Sequence, residues 1–197
     1  MLAKIILLLF FILFVFNTQA QKLKFDSTLK SDKVGYRIMC NNKSPESNIV
    51  SITPIGFVGN NTRTMDFMIT GRIVKAAIDD FNGDGYPDLI FYSYDEKDRG
   101  QVYSLASSEN KSCVPIFMTD IYADPKLRQG YQGHDSFSIM EGFLIRKFPL
   151  YKITDSVAKK MEVFGNRIIQ YKAVGDKTNP DRPSFTFKIF KTYDIKE

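Results

Sequence analysis

Tryptophan is absent from this chain of 197 residues, histidine occurs once and cysteine twice. With His134 alone, imidazole metal sites and most histidine-dependent catalysis have almost nothing to be built from. Cys40 and Cys113 lack the spacing of a zinc site, and an exported protein keeps such a pair either bonded or buried. Both readings stay open. Helix signals are few: Asp124 to Gln129, starting Asp-Pro, and Asp155 to Met161 each suit a turn or two, with the leading aspartate capping the first amides. A basic block is also missing, since the formal charge of +5 is spread along the chain, which is too little for nucleic acid. Such a balance suits a solubilising surface, or in an exported protein a leaning toward anionic cell-surface polymers.

The one long apolar run is Ile5 to Phe16, preceded by Lys4 and followed by Thr18-Gln19-Ala20 with small residues at both ends. That is the pattern of a secretory signal peptide, too short and too polar beyond its end for a retained span. The expected arrangement is a signal peptide over 1–20, a loosely held N-terminal arm over 21–34, and one β-sandwich domain over 35–197. The expected location is the periplasm or the outside medium, with no membrane span after cleavage.

Beyond that run the apolar stretches are short, rich in Ile, Val, Phe and Tyr, and punctuated by Gly, Asn, Asp and Pro, which is strand patterning. Eleven strands are expected: 36–40, 49–53, 64–69, 73–78, 89–94, 101–106, 114–118, 136–140, 143–149, 167–174 and 185–193. Turn chemistry separates them at Pro45, Gly59-Asn60-Asn61, Gly83-Asp84-Gly85, Glu141-Gly142, Gly165-Asn166 and Gly175-Asp176. Met140-Glu141-Gly142-Phe143 reads as a tight hairpin, and Asp176 to Pro183 as a loop. The fold class is all-β, an antiparallel β-sandwich of one domain with at most one or two short helices.

The segment Asp79-Asp80-Phe81-Asn82-Gly83-Asp84-Gly85-Tyr86-Pro87-Asp88 carries the most chemistry. Oxygen side chains at Asp80, Asn82, Asp84 and Asp88, with the Tyr86 carbonyl, suit a hard cation such as Ca²⁺. The twelfth position of a helix-loop-helix calcium loop would need a glutamate and is Phe91, and strands flank the loop, so a helical calcium sensor is excluded. Locally the segment resembles the calcium-binding repeats of integrin-type propellers, but one copy argues against a propeller. The competing reading is a metal-free turn in which Asp80, Asn82 and Asp84 accept hydrogen bonds from nearby amides.

A wider resemblance joins this loop to Gly130-Tyr131-Gln132-Gly133-His134-Asp135-Ser136-Phe137, then Leu144-Ile145-Arg146-Lys147-Phe148-Pro149-Leu150-Tyr151, then Arg167-Ile168-Ile169-Gln170-Tyr171. Gly35-Tyr36-Arg37-Ile38 and Ser51-Ile52-Thr53-Pro54-Ile55-Gly56 precede them in order. This succession resembles the bacterial periplasmic inhibitors of invertebrate-type lysozymes. The resemblance implies an antiparallel β-sandwich that blocks the lysozyme cleft with a loop carrying Ser-Gly-x-Tyr. Here the corresponding connection is Ser93-Tyr94-Asp95-Glu96-Lys97-Asp98-Arg99-Gly100, and Ser-Gly-x-Tyr is absent. The inhibitor-loop candidates are Lys97, Asp98, Arg99 and Gly100, where a cationic tip would face an acidic cleft. The family includes dimers, and an exposed edge strand would permit one here.

His134 with the adjacent Asp135 and Ser136 does not make a triad, because neighbours on a strand point to opposite faces; it reads as a turn anchor. Arg146, Lys147 and Arg167 read as members of cross-strand pairs with aromatic stacking. No nucleophile, base and oxyanion arrangement can be assembled, so the expectation is not an enzyme. The expected function is an exported protein-binding module acting on lysozyme or another envelope protein. The alternative is a calcium-stabilised envelope or surface protein with a structural or adhesive role, with Ca²⁺ as the sole expected cofactor.

Overall fold

The computed structural model describes residues 24–58, 63–176 and 184–196. The expected signal peptide, the Gly59-Asn60-Asn61 turn and most of the Asp176 to Pro183 loop lie outside them. The described residues form twelve strands: β1 (Phe25–Ser31), β2 (Val34–Cys40), β3 (Ser47–Ile55), β4 (Met65–Thr70), β5 (Arg72–Asp79), β6 (Asp88–Tyr94), β7 (Gly100–Ser108), β8 (Ser112–Met118), β9 (Ser136–Met140), β10 (Phe143–Asp155), β11 (Lys160–Asp176) and β12 (Ser184–Lys196). Between β8 and β9 lie a 3-10 turn, Ile121–Ala123, and one short helix, α1 (Pro125–Arg128). The protein is all-β.

Two sheets make the architecture, one of four strands in the order β1-β2-β3-β4 and one of eight in the order β5-β6-β7-β8-β12-β11-β10-β9. All pairings are antiparallel except β12 with β8, which run parallel over Phe185 to Phe187 against Ile116 to Met118. That pairing joins the meander β5 to β8 to the meander β9 to β12. The larger sheet curls as a half-barrel, and the smaller sheet packs on the outside of its β5 to β7 portion.

Two cores result. Leu89 and Phe91 pack with Tyr36, Ile38, Val50 and Ile52 of the small sheet. Ile90 and Tyr92 pack with Phe148, Ile169, Tyr171 and Phe187 inside the curl. Alternation along a strand sends successive side chains to opposite faces, so β6 is the wall between the cores and is buried from Asp88 through Ser93. That explains the unbroken run Leu89-Ile90-Phe91-Tyr92, since a strand covered on both faces needs no polar side.

Three sequence expectations change, and the open choice for the cysteines is decided. Gly165-Asn166 is not a turn but lies inside β11, where Gly165 pairs with Leu150. Residues 25–31 are not a loose arm but an edge strand, paired with β2 from Phe25 opposite Cys40 to Ser31 opposite Val34. Its inward positions include only two large apolar residues, Phe25 and Leu29, which pack on the second core, so the pattern was too polar to register as a strand. Asp155 to Met161 is not helical: residues 156–159 are the turn between β10 and β11, in which Asp155 accepts from the amides of Val157 and Ala158. The chemistry is that of a helix cap; strand pairing on both sides decides that the chain reverses. Cys40 and Cys113 are free thiols in the small-sheet core, Cys40 buried, and burial pushes the Cys113 thiol up to about 11.

The helix at Asp124 forms as expected, with the Asp124 carboxylate accepting from Lys126 N at 2.8 Å. Arg167 closes the other end, donating to the Lys126 and Leu127 carbonyls at 2.6 and 2.8 Å while it pairs with Asp194 across the strands at 2.7 Å. The strand role of residues 25–31 has a direct check. Leu29→Asp is expected to lower unfolding stability by about 1–2 kcal/mol in urea denaturation, since Leu29 is half-buried and a fully buried leucine is worth about 1.5–3 kcal/mol. A dispensable arm would tolerate it.

Candidate functional site

Two loops, one at each end of β6, hold the candidate residues. The first joins β5 to β6 and runs from Asp80 to Pro87. It curls around Asp80, whose Oδ1 accepts from Gly83 N at 2.8 Å and Asp84 N at 3.0 Å, while Oδ2 accepts from Gly85 N at 2.8 Å. Gly83 and Gly85 have φ of 76° and 84°, which a side chain would resist. Asn82 accepts from Asp84 N at 3.1 Å and donates from Nδ2 to Asp84 Oδ2 at 2.9 Å. Asp84 Oδ1 accepts from Tyr86 N at 2.9 Å. Asp80, Asn82 and Asp84 are therefore gathered at one exposed tip.

Asp88 departs from the expected ligand set. Its side chain is fully buried; Oδ2 accepts from Phe81 N at 2.9 Å and Asn82 N at 3.3 Å, and Oδ1 from Ser107 N at 2.8 Å. It ties the root of the loop to β7. Burial pushes its carboxyl up to about 7, against the pull of these amides.

The donor set left at the tip consists of oxygens, as a hard cation requires. Each carboxylate oxygen has two lone pairs, and Asp80 Oδ2 and both Asp84 oxygens each use only one. No group of three or more His, Cys, Asp or Glu placed to hold a metal is found among the described residues. A cation at this tip would thus rest on Asp80 and Asp84, completed by Asn82 Oδ1 and the Tyr86 carbonyl.

The second loop, Asp95 to Arg99, joins β6 to β7 and is held from inside and outside. Asp95 Oδ1 accepts from Lys97 N at 2.9 Å and Arg99 N at 3.0 Å, and Oδ2 from Arg99 Nε at 2.6 Å. Burial opposes its charge, but Arg99 and the two amides hold the Asp95 carboxyl below its usual range. Arg99 is thus a strut within the loop. Asp98 pairs with His134, Nδ1 to Oδ2 at 2.9 Å, and its carbonyl accepts from His134 N at 2.7 Å. Among the described residues Lys97 is the cation of the tip that no carboxylate holds. His134 anchors the turn, as expected, but it and Asp135 lie in the connection before β9 and not on a strand.

Behind the loop lies a polar cluster that sequence reasoning did not assemble. Asp135 is almost fully buried; it accepts from Gly100 N at 2.7 Å, from Arg146 Nε at 2.7 Å and from the Tyr131 hydroxyl. Arg146 also donates to the Tyr131 oxygen at 3.1 Å, and its guanidinium lies 5.3 to 5.7 Å from the ring centres of Tyr131, Phe137 and Phe148. Burial works against the Arg146 charge, yet Asp135 raises its pKa above the ordinary value. Gly100 is required by close approach: a Cβ there would lie 2.4 Å from the Phe137 ring. Asp135 and Gly100 are 35 positions apart in sequence, so only the fold reveals the link.

The described cavity between β4 and the β7–β8 pair, about 410 Å³, is lined by Phe67, Met68, Tyr103, Phe117 and other uncharged side chains.

The fold and loops define an all-β protein that presents two braced loops from one doubly buried strand. Residues 75–105 match the FG-GAP repeat, a short part of the chain that spans most of β5, both loops, β6 and the first half of β7. No curated protein and no solved structure matches the chain. The matched meander continues through β8 into an eight-stranded sheet, so it is built into a larger sheet and is not a separate propeller blade.

Two outcomes check the buried carboxylates. Asp88→Ala leaves the Phe81 and Ser107 amides unpaired inside the protein and should cost about 2–6 kcal/mol of unfolding stability, each orphaned buried donor costing about 1–3 kcal/mol. The folded Asp88 carboxyl also keeps its proton to a higher pH than the unfolded one, from 3.8 up to about 7. Its contribution is therefore fully present below the unfolded value and is lost as pH rises through the folded one. Denaturation midpoints between pH 4 and 7.5 should fall toward neutrality in the parent protein and fall less in Asp88→Asn.

Proposed function

We propose that this is a calcium-stabilised extracytoplasmic protein with a structural or adhesive role, in which the β5–β6 loop binds Ca²⁺ and sets the rigidity of the sheet that presents the β6–β7 loop. The observation that carries the reading is the gathering of Asp80, Asn82 and Asp84 at one exposed tip, inside the stretch that matches the FG-GAP repeat, a repeat type that is often calcium-binding and extracellular. The signal-like apolar run at 5–16 supports export, and no helix among the described residues is long and apolar enough to cross a membrane. Bound Ca²⁺ would neutralise two close carboxylates and cross-link the loop, so its effect is on stability first.

Thermal melting with Ca²⁺ and with chelator tests this. At a hundredfold excess over its dissociation constant a ligand contributes about 2.7 kcal/mol, which for a domain of this size raises the melting temperature by roughly 5–10 °C. Asp84→Ala should abolish the rise. An unchanged melting temperature in the parent protein would end the calcium reading.

A second reading, an inhibitor of invertebrate-type lysozyme or a descendant with another envelope target, is favoured by one observation. The segments that carry that resemblance, Gly130 to Phe137 and Leu144 to Tyr151, supply the residues that brace the β6–β7 loop: Asp135, His134 and Arg146. A preorganised loop loses little entropy on binding. Inhibition of invertebrate-type lysozyme that Lys97→Glu weakens and raised salt suppresses would support it. Absence of inhibition against invertebrate-, chicken- and goose-type lysozymes alike would set it aside, leaving the calcium reading untouched.

A further inference from the structure

The face of β9 to β12 turned away from the curl is unusually apolar for a surface. Leu144, Arg146, Phe148 and Leu150 of β10 point into the core, so the alternate residues Phe143 through Ile153 point outward. The bulge between Leu150 and Tyr151 falls on β11 and leaves this alternation intact. Met140 lies opposite Phe143 on β9, and Phe190, at the bulge of β12, brings its ring to 5.0 Å from that of Phe143. Met140, Ile153 and Phe190 are 61%, 68% and 62% exposed. The β10–β11 hairpin then runs past Leu150 and Gly165, its last buried pair, to a turn where Val157 is 93% exposed.

The same face carries Lys147, Lys172, Lys188 and Lys191, all exposed. In register, Lys147 stands beside Ile168 and Tyr193, Lys172 faces Lys188, and Lys191 faces Gln170. Among the described residues the face holds no carboxylate between its ends. At one end Asp155 is engaged by two turn amides; at the other stand Asp176 and the exposed Glu141 in the turn between Met140 and Phe143. Contiguous apolar surface of this kind marks an interaction site.

The charges narrow the occupant. A second copy docked face to face would set lysines against lysines along the middle of the face, where no carboxylate lies among the described residues. A soluble polyanion would engage the lysines and leave Ile153, Val157 and Phe190 in water. An anionic bilayer uses both features, apolar side chains entering the headgroup boundary while lysines meet the headgroups. We propose that this face, led by the Val157 hairpin tip, is a peripheral docking surface for anionic lipid bilayers.

The test uses protein lacking residues 1–20, whose apolar run would bind lipid by itself; every described contact lies within residues 24–196. Sedimentation with vesicles of phosphatidylcholine alone is expected to recover little protein, and vesicles containing phosphatidylglycerol most of it. The double variants Ile153→Asp/Phe190→Asp and Lys147→Glu/Lys191→Glu should each weaken that binding by about tenfold or more. The chain has no tryptophan, so Val157→Trp reports tip insertion as a blue shift of emission on the anionic vesicles. No binding to either vesicle would overturn the proposal. So would binding that the Ile153→Asp/Phe190→Asp variant retains in full, which denotes polyanion adsorption. A concentration-dependent dimer in sedimentation equilibrium, lost in that variant, would assign the face to a second copy and also overturn it. All these substitutions are at exposed positions, and a circular dichroism melt of each variant separates lost binding from lost folding.

Discussion

Strand β6 has solvent on neither face. Leu89 and Phe91 belong to the core under the small sheet, Ile90 and Tyr92 to the core inside the curl, and the rest of the molecule is arranged to cover both sides of it. The small sheet seals one face and the strands from β9 to β12 wrap round to seal the other. The parallel contact of β12 with β8 makes the second wrap continuous. A strand with no solvent face cannot shift register, because a one-residue slip would exchange the contents of two cores. Loops attached to its two ends therefore start from fixed points.

Each loop is then held at its base by a buried carboxylate that accepts backbone amides. Asp88 takes Phe81, Asn82 and Ser107; Asp135 takes Gly100 together with Arg146 and Tyr131. The two differ in how the charge is tolerated. Asp135 has a buried guanidinium beside it, and removing either partner would strand a charge in the core. Asp88 has only amide dipoles, so burial raises its pKa. The base of the acidic loop accordingly holds a carboxyl raised to about 7, while the base of the other loop is fixed by an ion pair.

Much of the fold was legible in the sequence. All eleven expected strands are present, because short β-branched and aromatic runs between turn residues have few other uses. The hairpin at Glu141-Gly142 and the cap at Asp124 were readable for the same reason, local chemistry with one favoured conformation. What was missed was not local. Residues 25–31 alternate too weakly to signal a strand and become one because β2 offers an unpaired edge. Arg99 looked like a free cation of the contact loop but is consumed by Asp95, four residues before it. The far halves of β10 and β11 extend beyond any core, so burial patterning did not mark them.

By itself the sequence determined the class of structure, the central stretch of each of the eleven expected strands, and the presence of an oxygen-rich loop between two strands, since these follow from propensities and spacings within a few residues. Only the tertiary structure decided that Asp88 serves the core and not the loop tip, and that Asp135, Arg146 and Tyr131 converge behind Gly100. It also decided that one face of the long β10–β11 ribbon is left apolar and cationic. Each of these depends on which strands become neighbours and which face of a sheet is covered, and that choice is made by the summed burial of two cores, which no local window of residues contains.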